Sequence, residues 1–82
     1  MIIGFRCDKR GHNFAILLQS NGRWQAVIDG DGVGSYHRPE AALSDMVGGH
    51  TSTPSSGIDS GDFDLPDSLR DWNVVTKKQS SL

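Results

Sequence analysis

With 82 residues the chain has room for one domain and sits near the lower size limit for a self-sufficient core. A formal charge of -2 excludes the broad basic field that drives nucleic-acid affinity by counterion release, and equally a polybasic membrane binder. The single cysteine, Cys7, excludes an internal disulfide and fits a reducing compartment.

The first segment, Ile2 to Cys7, alternates Ile3, Phe5 and Cys7 against Gly4 and Arg6, the pattern of a strand. Its apolar run is too short for a secretory leader, and no stretch nears the roughly 20 residues a membrane-spanning helix requires. The expected location is therefore cytoplasmic. Asp8 to His12 is polar, carries Gly11 and reads as a turn.

Phe14 to Gln19 and Arg23 to Ile28 form the next two strands, and the pairing between them can be argued. A two-residue Asn21-Gly22 loop would mix apolar and polar residues on both faces. A three-residue loop, Ser20-Asn21-Gly22, sets Phe14, Ile16 and Leu18 opposite Ile28, Ala26 and Trp24. It also places Gly22 where a left-handed residue is required. Asp29 to Gly34 reads as a glycine-rich turn leading to a short edge strand at 33–36.

Pro39 at a first helical position and Glu40 beside it mark a helix start. Ala42, Leu43, Met46 and Val47 form one stripe, and Gly48 is the expected left-handed cap. So short a helix is unstable alone, so its stripe must pack on the Phe14/Ile16/Trp24 face. Residues 50–61 are rich in Ser, Thr and Gly and read as an irregular crossing loop. Leu65, Leu69 and Trp72, at i, i+4 and i+7, suggest one or two helical turns closing over the core. Val74 and Val75 suggest a last edge strand. The expected fold class is α+β: a small antiparallel sheet of three or four strands in β-β-β-α order, one helix on one face, and a long wrapping C-terminal segment. One domain is expected over 1–75, with a flexible tail over 76–82. An exposed edge at 2–7 or 33–36 would allow pairing into a homodimer.

No motif here carries chemistry. Asp29, Asp31, Gly34 and Glu40 occupy positions 1, 3, 6 and 12 of an EF-hand-like loop. Val33 at position 5 cannot ligate, however, and a strand precedes the loop where a helix belongs. His12, His37 and His50 lie far apart from one another and from Cys7, without the short spacing of structural zinc. Neither a Gly-x-Ser-x-Gly elbow nor a phosphate loop occurs. No metal or cofactor is expected, and no enzymatic activity.

Gly22-Arg23-Trp24-Gln25-Ala26-Val27, followed by a helix opening Pro39-Glu40-Ala41-Ala42-Leu43, resembles the β-β-β-α modules of HicB-type antitoxins over 14–47. The resemblance implies an architecture, not an activity.

Charge is unevenly distributed. Arg6, Lys9 and Arg10 cluster early, while Asp59, Asp62, Asp64, Asp67 and Asp71 cluster late with only Arg70 among them. The leading expectation is a non-enzymatic protein-binding module, an inhibitor or regulator of antitoxin-like or phage anti-defence type. It would act through an acidic face, Asp59, Asp62, Asp64, Asp67 and Asp71, that imitates nucleic-acid charge in a basic cleft of its partner. The alternative is a single-stranded nucleic-acid binder using a basic edge of Arg6, Lys9, Arg10 and Arg23. A metal-dependent hydrolase is a remote third.

Overall fold

A computed structural model describes residues 1–77. Five strands form one antiparallel sheet, β1 (Ile2–Lys9), β2 (His12–Leu18), β3 (Trp24–Ile28), β4 (Asp31–Tyr36) and β5 (Asn73–Thr76), with a single helix, α1 (Pro39–Gly48). The spatial order is β4-β3-β2-β1-β5. The first four strands make a meander. After α1 and a long strap the chain returns to lay β5 beside β1. The α+β class is as the sequence implies, with one strand more than three or four and the last of them outside the β-β-β-α run.

The β2–β3 register follows the separation of faces: Phe14, Ile16 and Leu18 pair with Ile28, Ala26 and Trp24. Gly22 has φ 81 in the loop between them. The other two hairpins are tighter than expected. Lys9 pairs with His12, so the turn shrinks to Arg10-Gly11, with φ 52 and 79. Ile28 pairs with Asp31, leaving Asp29-Gly30 with φ 51 and 88. Two successive positive-φ residues are what the twist of a two-residue hairpin demands. The stretch expected to be turn therefore belongs largely to β4. Its Gly34 lies under an aromatic side chain, since a Cβ there would stand 2.6 Å from the Tyr36 hydroxyl.

β1 is not an edge, because β5 pairs along it from Asn73↔Arg6 to Ile2↔Thr76. This corrects the expectation of an open edge at 2–7. β4 is an outer strand, but the crossing loop engages it: Ser52 N–H donates to the Val33 carbonyl at 3.0 Å, and Ser55 N–H donates to the Asp31 carboxylate at 2.9 Å. Thr76, expected to begin a tail, closes β5, and Lys77 N–H donates to the Met1 carbonyl at 3.0 Å. The rest of the expected tail lies outside the described residues.

Helix α1 starts at Pro39 and buries Ala42, Leu43 and Met46 against the sheet face made by Phe14, Ile16, Ala26, Ile28 and Val33. Its end lies one residue beyond the expected cap. Gly49, at φ 73, is the left-handed residue. Its N–H donates to the Met46 carbonyl, and His50 N–H donates to the Asp45 carbonyl at 2.8 Å, a Schellman closure.

The strap is irregular where one or two helical turns were expected. Short 3-10 turns form at Ser60–Phe63 and Leu69–Asp71. Between them, Asp64 takes a left-handed φ of 52, and Pro66 lacks the N–H a helix would use. The apolar side chains still reach the interior, and Phe63, Leu65 and Trp72 are core residues. Trp72 Nε1–H also donates to the Pro66 carbonyl at 2.9 Å, fixing the strap to itself.

Candidate partner-binding surface

Hairpin connectivity puts the Arg10-Gly11 and Asp29-Gly30 turns side by side at one end of the sheet. Asn13 N–H donates to Asp29 Oδ1 at 2.8 Å, and His12 Nδ1 meets Asp29 Oδ2 at 2.6 Å. The Asn13 amide foremost, then His12, hold the Asp29 carboxyl below the usual carboxylate range. Phe63 packs into this end with its ring edge-on to His12 at 5.3 Å and to Phe14 at 5.1 Å. The three non-glycine residues with positive φ, Arg10, Asp29 and Asp64, all lie here. Such backbone persists only where its surroundings determine it.

The early basic cluster meets the late acidic run at this end, but through the main chain. Lys9 Nζ donates to the Asp64 carbonyl at 2.8 Å. Arg10 Nη1 donates to the Asp62 carbonyl at 3.2 Å, and its guanidinium lies 5.6 Å from the Phe63 ring centroid. The acidic segment is thus fastened by its backbone, and among the described residues none of its carboxylates meets a cation. Asp59, Asp62, Asp64, Asp67 and Asp71 are all exposed. Asp59 Oδ1 accepts from Gly61 N–H at 2.9 Å. The ion pairs among the described residues are Arg6–Asp8, at 2.8 Å, and His12–Asp29. Neither involves the acidic run.

The four cations of the expected basic edge do not converge. Arg6 is paired with Asp8, and Lys9 and Arg10 are spent on main-chain carbonyls. Arg23 lies at the opposite end of β2, roughly 20 Å away at about 3.3 Å per residue. There its Nε donates to Ser35 Oγ at 2.7 Å, and its Nη1 approaches the His37 ring at 3.2 Å.

The residues of the EF-hand-like pattern also diverge. Asp29 serves His12 and Asn13, Asp31 accepts from Ser55, and Glu40 sits in the first turn of α1. No group of three or more histidine, cysteine or carboxylate side chains converges on a common point among the described residues. Cys7 is half-buried in β1, and burial pushes its thiol above the ordinary range. No helix among the described residues is long and apolar enough to cross a membrane.

A cleft of about 700 Å³ separates α1 from the 67–70 segment. Glu40, Leu43, Ser44 and Val47 reach it from one stripe of α1, and Leu69 faces them. The i, i+3, i+4, i+7 spacing is visible in the sequence, but only the strap's path reveals that this stripe has an opposite wall. Segment 39–71, which supplies both walls, holds seven carboxylates against the single guanidinium of Arg70, a net charge of -6.

Comparison of the chain with known protein families, characterised proteins and solved structures finds no match. The resemblance of 14–47 to HicB-type modules is thus one of element order alone, β2, β3, β4 and α1 within a longer five-stranded arrangement, and identifies no family.

Proposed function

We propose that the protein is a non-enzymatic binding module, an inhibitor or regulator of antitoxin-like or anti-defence type. It works in the cytoplasm by presenting the acidic 59–71 segment to a basic cleft on a protein partner. One observation carries this reading: five exposed aspartates sit on a segment fastened by main-chain and core contacts, and among the described residues none is in an ion pair. Carboxylates held in place beforehand lose little ordering entropy on binding, and a like-charged array steers association with a basic surface.

The test uses purified protein as bait in nuclease-treated lysate, beside a variant carrying Asp62→Asn, Asp64→Asn and Asp67→Asn. The expected result is one protein retained in near-equal amount by the wild type and lost by the variant, with salt-sensitive affinity. Equal retention by both would refute action through the acidic segment. Recovery that disappears with nuclease would shift the assignment to nucleic acid.

A further inference from the structure

We infer that the cleft between α1 and the 67–70 segment receives apolar side chains from a basic amphipathic helix of a protein partner. This inference rests on the acidic-segment reading and adds to it a specific seat and a ligand chemistry.

The cleft has a built, partly apolar floor. Leu43 and Val47 stand one helical turn apart on α1, and Leu69 faces them from the strap. Leu43 is held from behind by the sheet-facing core. The opposite wall is held by Trp72, which is buried and bonded to the Pro66 carbonyl. A cavity of about 700 Å³ is of the size that takes side chains rather than water alone.

Charge selects the occupant. Glu40 and Asp67 border the cleft, with Arg70 and the His50 imidazole also on its rim. Glu40 and Asp45 are the charged residues of α1, and the strap continues the same sign through Asp59, Asp62, Asp64 and Asp71. Nucleic acid and anionic membranes are repelled by such walls. A helix with an apolar stripe flanked by lysine or arginine satisfies both floor and rim, the helix-in-groove mode of recognition. The cleft follows α1 from Glu40 to Val47, which is about two turns and roughly 10 Å of helix axis.

Three synthetic peptides of equal length serve as probes: an amphipathic Lys/Leu helix, a Lys/Ser peptide of the same charge, and a Glu/Leu amphipathic helix. Binding is read by calorimetry, and the site by NMR shift changes on isotope-labelled full-length protein. Two protein variants add one positive charge each. Ser44→Arg fills the cleft from an exposed position, and Ala41→Arg places the same charge on an exposed position of α1 outside the cleft.

The expected result is binding of the Lys/Leu helix alone, with shifts centred on Leu43, Val47 and Leu69. Ser44→Arg should weaken it about tenfold or more, the scale of a blocked anchor pocket, and Ala41→Arg much less. If the Lys/Ser peptide binds as tightly, or both variants weaken binding equally, the cleft proposal falls and the acidic-segment reading stands. Equal binding of the Glu/Leu helix overturns the charge selection. If neither basic peptide binds, the cleft proposal falls, and the acidic-segment reading is decided separately by the retention of wild type against the Asp62/Asp64/Asp67 variant.

Discussion

Lys9 donates its ammonium to the main-chain carbonyl of Asp64, at 2.8 Å, and leaves the carboxylate of that residue to solvent. Arg10 treats Asp62 in the same way. Residues more than fifty positions apart are thereby clasped through peptide oxygens, with no ion pair to the segment's carboxylates among the described residues.

Removing that clasp should loosen the segment it holds. Lys9→Met and Arg10→Met keep much of the apolar stem and delete two hydrogen bonds and a cation–π contact. The double variant should lose about 1–2 kcal/mol, a figure limited by the exposure of both cations. Amide exchange at Gly61–Asp64 should accelerate more than exchange within α1. Unchanged exchange there would show that Phe63 and Leu65 hold the segment unaided.

The helix terminus offers a contrast between adjacent glycines. Gly49 has φ 73, and a Cβ there would meet Gly61 backbone atoms at 3.2–3.3 Å. Gly49→Ala should cost about 1–3 kcal/mol, measured as a lowered urea midpoint. Gly48 is helical, and its added Cβ meets only the movable ring of His50. Gly48→Ala should therefore lie within about 1 kcal/mol of the wild type, with the better helix propensity of alanine in its favour. The reverse order would mean that the left-handed cap is misplaced.

Tyr36 is the single tyrosine, so its titration can be read without deconvolution. Its hydroxyl donates to Asp45 Oδ2 at 2.8 Å. Burial, then that hydrogen bond and the nearby negative charge, push its pKa up to about 12. The fold thus favours the protonated phenol. The associated stability is complete below the unfolded-state value of about 10 and is lost as pH rises through about 12. Tyrosinate absorbance should appear near the ordinary value in urea and well above it in the folded protein. Asp45→Asn should bring the folded value down.

Acid should act at the other end of the sheet. The folded Asp29 carboxyl is lowered, first by the Asn13 amide and then by His12. Its contribution to stability is complete above the unfolded-state value of about 4 and is lost as pH falls through its lower folded value. Asp29→Asn keeps a residue that tolerates φ 51 and removes the titrating group. Urea midpoints should fall less steeply with acid in this variant than in the wild type. Some slope should remain, because Asp8 and Asp31 are also lowered.

The strands and helix visible in the sequence are those with a two-sided pattern. Of a two- and a three-residue β2–β3 loop, the three-residue one sets Phe14, Ile16 and Leu18 opposite Ile28, Ala26 and Trp24 and separates the faces better, so this register is legible in the sequence. Of the stripe Ala42, Leu43, Met46 and Val47, equally legible by its spacing, the first three are buried and Val47 is half-buried at the cleft. Asp31 to Gly34 misled because Gly32 and Gly34, which resemble turn residues, lie beneath the side chains of Gln25 and Tyr36. Leu65 and Trp72 lie inside as their apolar spacing implies, whereas Leu69 is half-buried at the cleft, and an irregular strap bent at Asp64 and Pro66 replaces the helical turns. The clasp had no signature, because Lys9 and Arg10 bind peptide oxygens, which every residue carries. The cleft was hidden for a related reason: its second wall depends on where a loop of low-information residues deposits Leu69.

The place of β5 has a consequence for synthesis. β1 is made first and finds β2 at once, yet its other flank waits for residues 73–76, some seventy positions later. Until they emerge, the nascent chain leaves unpaired the Ile2–Arg6 flank that β5 will cover, bearing Ile2, Ile3 and Phe5, an invitation to pair with another molecule. A chain terminated before Asn73 would keep the residues of α1 and the meander and leave that flank of β1 open to strand pairing with another molecule.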